Sequence, residues 1–201
     1  DDTDDTEFKE THMFVCIGIG RLPVSTLQQA QDVVNKLIDY MQHNQQGNWR
    51  NQLCFLADDG DRAEHMISAN KIADTIIVNQ PNYQVNKIIL DSYLQEVTAA
   101  GEAYPAAKNK LDNQLQNGLL YLCYMGHGSP TAISNENMMT IESINNMHNK
   151  HCGIWGFGTC SFSHWDAQSI SAGEAAVLNP QGGAIGVFSA ARTVYADANE
   201  R

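Results

Sequence analysis

The chain has 201 residues, of which 43% are hydrophobic and 17% charged, a composition that can fill a core and excludes a disordered chain. Its net charge is −11, and the first ten residues carry −5 of that through six acids and one lysine. No basic tract stands out, which argues against nucleic acid as a partner, and no apolar run approaches the roughly 20 residues of a membrane-spanning helix.

Residues 1–12 read as an acidic leader, with no basic-then-apolar signal segment. The opening Asp1-Asp2-Thr3-Asp4-Asp5 suggests the edge of a mature form or of a fragment of something longer. Such tails are usually solvated, although their hard carboxylate oxygens also suit calcium.

From residue 13 onward the pattern alternates. Met13 to Ile19 is a short apolar run with β-branched residues, the signature of a buried strand. Ser25 with Gln28 three residues on predicts a capping box. Leu27, Ala30, Val33, Val34, Leu37, Ile38 and Met41 then recur at steps of three and four, an amphipathic helix. Leu53 to Ala57 is a second strand, ending in the turn cluster Asp58-Asp59-Gly60-Asp61, and a helix is expected from about 63 to 73. Val85 to Leu90 is a third strand, whereas 91–104 is ambiguous. A helix over 106–116 stops at Asn117-Gly118, before the most apolar run of the chain, Leu119 to Met125. That strand breaks at Gly126-His127-Gly128. Thr140 caps a helix carrying Ile141, Ile144 and Met147, and Cys152 to Thr159 is the next strand. Ser171 and Glu174 form another capping box before a short helix, and Ala184 to Ala190 is the last strand. Strand-helix alternation with continuous apolar strands predicts one α/β domain, a mostly parallel sheet of about six strands with helices on both faces.

Ligands of open parallel sheets bind beyond the carboxyl ends of the strands. Three such ends carry reactive groups: Asp58 and Asp59, His127, and Cys160 after Thr159. A thiolate nucleophile, an imidazole acid/base and a carboxylate that fixes the imidazole tautomer are the parts of a cysteine-nucleophile site. The glycines around His127 allow a sharp turn and leave the Gly128 N–H to face a developing oxyanion, a donor that contributes roughly 3 kcal/mol to transition-state stabilisation. Each residue also has an ordinary structural reading, as turn former or small buried hydrophobe; their convergence on three strand ends favours the chemical one. Five cysteines leave at least one thiol free.

Other chemistries fit less well. Asp166 stands where a phosphatase loop would need arginine, six residues after Cys160. Gly18-Ile19-Gly20-Arg21-Leu22-Pro23 lacks the last glycine of a dinucleotide loop, and there is no Walker-type lysine loop or serine elbow. His148, His151 and Cys152 are close in sequence, yet a helix-to-strand loop explains them as well as zinc does.

Tyr124-Met125-Gly126-His127-Gly128-Ser129 resembles the histidine segment of the gingipain-type cysteine peptidases, a family with a caspase-like fold. Thr159-Cys160 resembles their nucleophile segment, and the 33 residues from His127 to Cys160 match the family interval. The likeness also covers Ile19 to Val24, Gly173-Glu174, Gly182 to Ile185, Arg192 and Tyr195. It implies Cys160 as nucleophile, His127 as acid/base, Gly128 as oxyanion donor, and Asp58 or Asp59 as support for the histidine. Asp61 lies near the place of an acidic residue that selects basic side chains in some members, but arginine specificity does not carry over. Asp166, Ser171 to Glu174, Leu178 to Pro180, Gly182 to Ala184 and Arg192 to Tyr195 resemble the PorU-type signal peptidases of the type IX secretion system. That resemblance implies a surface enzyme of the Bacteroidetes outer membrane that removes C-terminal sorting domains from exported proteins. The chemistry needs no cofactor; calcium would serve as a structural ion. Residues 13–201 would then be a caspase-like catalytic subdomain, with further N- and C-terminal domains of the precursor and other secretion components as partners beside the protein substrate. A catalytically silent binding module and an acyl transferase using the same Cys-His pair remain open.

Overall fold

The computed structural model describes residues 20–43, 46–99 and 101–194. The strand expected over Met13 to Ile19 and Cys16 lie outside them.

Helix α1 spans Leu27–His43. Its cap is shifted one residue from the expected Ser25–Gln28 pair. The Gln29 N–H donates to Thr26 Oγ1 at 3.2 Å, while Gln29 Oε1 accepts from the Thr26 N–H at 3.2 Å and from Ser25 Oγ at 2.9 Å. Two adjacent hydroxyl residues each precede a glutamine by three, and the helix uses the second. The expected apolar stripe of α1 is only partly used: Val33 is buried, whereas Leu27, Val34, Ile38 and Met41 are exposed. Instead, α1 docks through Lys36, whose Nζ lies 2.6–3.3 Å from the carbonyls of Ala176, Val177, Asn179 and Gly182. Burial lowers the Lys36 pKa to about 8.

Next come β1 (Gln52–Ala57), α2 (Glu64–Asn79) and β2 (Gln84–Ile89). Helix α2 runs well past the expected stop near residue 73. The ambiguous stretch resolves into a short exposed hairpin, β3 (Glu96–Thr98) and β4 (Gly101–Ala103). Helix α3 (Pro105–Asn117) starts with proline at its first position and ends at Gly118, with φ 95°. Strand β5 is Tyr121–Met125, and the pair β6 (Ala132–Ile133) and β7 (Met139–Thr140) folds over its exit. Helix α4 (Ile141–Asn145) opens with a Thr140–Ser143 capping box; β8 is Ile154–Gly158. Helix α5 (Ala172–Leu178) carries the expected Ser171–Glu174 box, and β9 is Gly186–Ser189.

The described sheet has five strands in the order β2-β1-β5-β8-β9, all parallel. Strand alternation divides the core in two. Leu53, Phe55, Ala57, Cys123 and Met125 face Ala69 and Ala73 of α2. Cys54, Leu56, Leu122, Tyr124, Trp155 and Phe157 face the other way, onto Leu111, Leu115, Ile144 and Ala176 of α3, α4 and α5. Helices therefore cover both faces, as the apolar strand runs require. From β1 the chain crosses one way to β2 and then back to β5 on the other side. That reversal puts a crevice beyond the carboxyl ends of β1 and β5. No helix among the described residues is long and apolar enough to cross a membrane.

Candidate active site

Three neighbouring strand ends build the rim. Ala57 of β1 pairs with Met125 of β5, and Met125 with Gly158 of β8. Two further hydrogen bonds extend the register past the strands: Asp58 N–H to Met125 O at 3.0 Å and Gly126 N–H to Gly158 O at 3.4 Å. The loops bearing Asp58, His127 and Cys160 thus leave the sheet side by side.

Asp58 is 2% exposed and works on backbone. Its Oδ2 accepts the His127 N–H at 2.9 Å and the Tyr124 hydroxyl at 3.1 Å; its Oδ1 accepts the Asp59 N–H at 3.2 Å. The Tyr124 hydroxyl also reaches His127 O at 2.7 Å. Burial raises the Asp58 carboxyl above its ordinary range, opposed by these hydrogen bonds. Asp59 turns elsewhere, accepting the Tyr104 hydroxyl at 2.7 Å. The His127 ring is held by Asp61, whose Oδ2 lies 2.5 Å from Nε2 and whose carboxyl is held low by that hydrogen bond and by the imidazole's charge. Among the described residues, neither Asp58 nor Asp59 is bonded to the ring. His65, in the first turn of α2, also approaches Asp61 Oδ2 at 3.3 Å, and its ring meets that of His127 edge to face at 5.2 Å. His65 is not among the residues that the sequence pattern singles out.

Asp61 reaches back to the β5 loop because the chain turns left-handed there. Asp61, Arg62 and Ala63 have φ of 42°, 56° and 66°, closed by the Ala63 N–H on Gly60 O at 2.8 Å. Non-glycine residues rarely adopt this region, at a cost of roughly 1–2 kcal/mol each, and such strain clusters at functional sites.

Gly128 forms an antiparallel bridge with Ile133, flanked by Ser134 N–H to His127 O and Ser129 N–H to Ala132 O, both 2.9 Å. In a bridge of this register the central amide points away from its partner. Accordingly, neither the Gly128 N–H nor the Cys160 N–H donates to a described residue. A Cβ at Gly128 would overlap Thr159 Oγ1, so only glycine lets this amide lie against the β8 exit.

Cys160 is half-buried, while the other described cysteines, Cys54, Cys123 and Cys152, are buried. Burial pushes the Cys54 and Cys123 thiols up to about 12 and raises Cys152. The Cys160 thiol donates to Val194 O at 3.5 Å. The residues after it are anchored by Ser161 N–H to Arg192 O at 3.1 Å and by an ion pair between Arg192 and Asp166.

A cleft of about 640 Å³ lies at the opposite end of the sheet, lined by Lys36, Asp39, Asn149, Cys152 and Gly182, which precede β8 and β9 or belong to α1. That is the amino edge, away from the rim. There Trp49 stacks on His151 at 5.1 Å and Cys152 donates to Asn149 O, so His148, His151 and Cys152 do not gather as a metal set. Two groups with metal-ligating geometry occur among the described residues: Asp61, His65 and His127, and the acidic group Asp58, Asp59 and Glu136.

No curated protein matches the chain in sequence. Among solved structures, gingipain R (RgpB), an Arg-specific cysteine proteinase, superposes with a TM-score of 0.71 at 16% identity, over 91% of this chain and 42% of that one. The complex of Porphyromonas gingivalis RgpB pro- and mature domains gives 0.71 at 15%, over 92% and 43%. A structure described as a protease gives 0.69 at 15%, over 88% and 37%. The chain thus spans about two fifths of the length of the structures it matches, and it shares their caspase-like fold. The model of peptidase family C25 matches residues 2–201, and the chain belongs to that family of cysteine peptidases, the gingipain family.

Proposed function

We propose that residues 13–201 are the catalytic subdomain of a larger cysteine endopeptidase, with Cys160 as nucleophile and His127 as acid/base. One observation carries the reading: the paired exits of β5 and β8 carry a histidine and the more exposed thiol, beside a Gly128 amide with no partner among the described residues. The Cys160 thiolate attacks the scissile carbonyl carbon, and the carbonyl π electrons move to oxygen. The Gly128 and Cys160 N–H groups receive that oxyanion. Asp61 engages His127 Nε2, which leaves Nδ1 to take the Cys160 thiol proton and hand it to the departing amine as the C–N bond breaks; Nδ1 then takes a proton from the water that cleaves the acyl thioester and returns it to the Cys160 sulfur. Asp58 is a positioning residue for the His127 backbone. Asp59, bonded to Tyr104, supports the wall of the rim.

The natural substrate we infer is an exported protein carrying a C-terminal sorting domain, cleaved at the outer-membrane surface. The motifs shared with type IX signal peptidases support this, and calcium would act as a structural ion. The test is Cys160→Ala in the longer precursor: cleavage of a sorting-domain substrate should disappear while the fold persists, and retained cleavage refutes the reading. An acyl transfer to a surface amine uses the same groups, and adding an amine acceptor separates the two products by mass.

The thiol donated to Val194 O is the observation that favours a second reading, a silent module that binds and does not cut. A Cys160 that stays inert in the precursor as well would support it.

A further inference from the structure

We propose that Asp61, His65 and His127 form a binding site for a zinc-class divalent ion that shuts off the peptidase reversibly. Their ligand atoms, one carboxylate oxygen and two imidazole nitrogens, all lie within 4.8 Å of one another. Two histidines and one carboxylate with an open fourth position are a zinc donor set.

The geometry is close to what the ion requires. Tetrahedral ligands about 2.05 Å from zinc stand about 3.3 Å apart. His65 Nε2 and Asp61 Oδ2 are 3.3 Å apart. His127 Nε2 and Asp61 Oδ2, at 2.5 Å, need to open by about 0.8 Å to reach that spacing, and both side chains are about half exposed, so a small rotation suffices.

His65 supplies an independent argument. Its Nε2 is buried and has no well-formed hydrogen bond among the described residues, although Asp61 Oδ2 lies 3.3 Å away. A buried polar atom without a partner is costly, and a metal ion at this point would satisfy it. The left-handed turn at Asp61 to Ala63 aims the carboxylate at both rings.

Coordination would act on chemistry through tautomerism. With the ion on His127 Nε2, the remaining ring proton sits on Nδ1. That nitrogen then has no lone pair to accept a proton, so the imidazole no longer serves as a base. This consequence rests on the reading of His127 as acid/base; binding of the ion does not.

The test uses the whole chain, with Zn²⁺ titrated by calorimetry and Co²⁺ followed by its visible absorption. Wild type and Cys160→Ala should bind one ion with similar affinity, and Co²⁺ should show the intense bands of four-coordination. Loss of a second-shell partner weakens metal sites by 10–100-fold, so loss of the ligand in His65→Ala should weaken binding by at least about 100-fold. Asp61→Asn serves as the second variant should His65→Ala fail to fold. Unchanged affinity in a folded His65 or Asp61 variant, or loss of binding in Cys160→Ala, overturns the site. In parallel, one equivalent of Zn²⁺ should slow iodoacetamide alkylation of Cys160 in wild type and not in His65→Ala. Binding through His65 with no effect on Cys160 keeps the site but overturns the switch, and with it the role given to His127.

Discussion

Replacing Asp58 separates backbone positioning from charge. Asp58→Ala removes the acceptor of three donors, but the three do not lose equally. The Tyr124 hydroxyl keeps His127 O at 2.7 Å, and the Asp59 N–H borders the partly exposed side of the turn. The His127 N–H is the donor left without a partner. Hydrogen bonds to charged groups contribute about 1.5–3 kcal/mol. Removing a buried carboxylate also recovers part of the burial penalty that raises its pKa. The net loss expected is about 2 kcal/mol, a fall in Tm of about 4–8 °C for a chain of this size. Freeing the His127 backbone displaces the imidazole, and a misplacement of about 1 Å costs on the order of 100-fold in rate. Asp58→Asn retains an acceptor for the His127 N–H but sets its NH2 against the Asp59 N–H, whose partly exposed side lets water replace the lost acceptor, so it should lose about 1 kcal/mol, less than Asp58→Ala. Urea unfolding gives the stabilities, and the alkylation rate of Cys160 by a peptidyl chloromethyl ketone gives the reactivities. Asp58→Asn falling as far as Asp58→Ala would show that charge, and not the backbone clamp, matters. Full reactivity in a folded Asp58→Ala would refute the clamp altogether.

Gly128→Ala should cut peptidase activity by about 100-fold or more by forcing the amide away from the Thr159 hydroxyl, with Cys160 alkylation by iodoacetamide much less affected, since that reaction forms no oxyanion. Equal loss in both assays would contradict the oxyanion role. Ala63→Gly should raise stability by about 0.5–1 kcal/mol in urea unfolding by relieving the left-handed strain at φ 66°; destabilisation would contradict it. Stability should peak near pH 9. The folded state releases the Lys36 proton near 8 while the unfolded chain holds it to 10.5, so the unfolded state binds more protons between those values, and Lys36 by itself raises stability by at most about 1.4 kcal/mol per pH unit, an upper bound that the ionising thiols of the unfolded chain reduce. Above 9 the unfolded Cys54 and Cys123 thiols ionise while the folded ones wait until about 12, and two groups of opposite sign outweigh one. Lys36→Met should remove the rise between pH 8 and 9 in urea titrations, and a rise that persists would contradict the account.

The elements most legible in sequence were those whose local chemistry and burial agree. The run Leu119 to Met125 became the central strand β5, and Ser171 and Glu174 capped α5 as a box, because nothing in the tertiary fold competes with either. The hairpin at Glu96 to Ala103 was hidden because it buries no face; Val97 is exposed. The α1 stripe was legible as a helix but misleading as to burial, since docking runs through the polar Lys36. At the rim, strand-end logic brought Asp58, His127 and Cys160 to neighbouring loops. What it did not reveal was the partner of the imidazole. Asp61 touches the ring only because three non-glycine residues turn left-handed, which no residue preference announces, and His65 follows from the same turn. The spacing of Asp61 and His65, four residues apart at a helix start, was the available signal.

A working Cys160–His127 pair is tested most directly by the alkylation rate of each cysteine by iodoacetamide from pH 4 to 9, read by mass spectrometry in wild type and His127→Ala. Cys160 should react well below pH 8, lose that reactivity in His127→Ala, and outpace the buried Cys54, Cys123 and Cys152 throughout. A Cys160 whose rate follows an ordinary thiol and is indifferent to His127 would contradict the account.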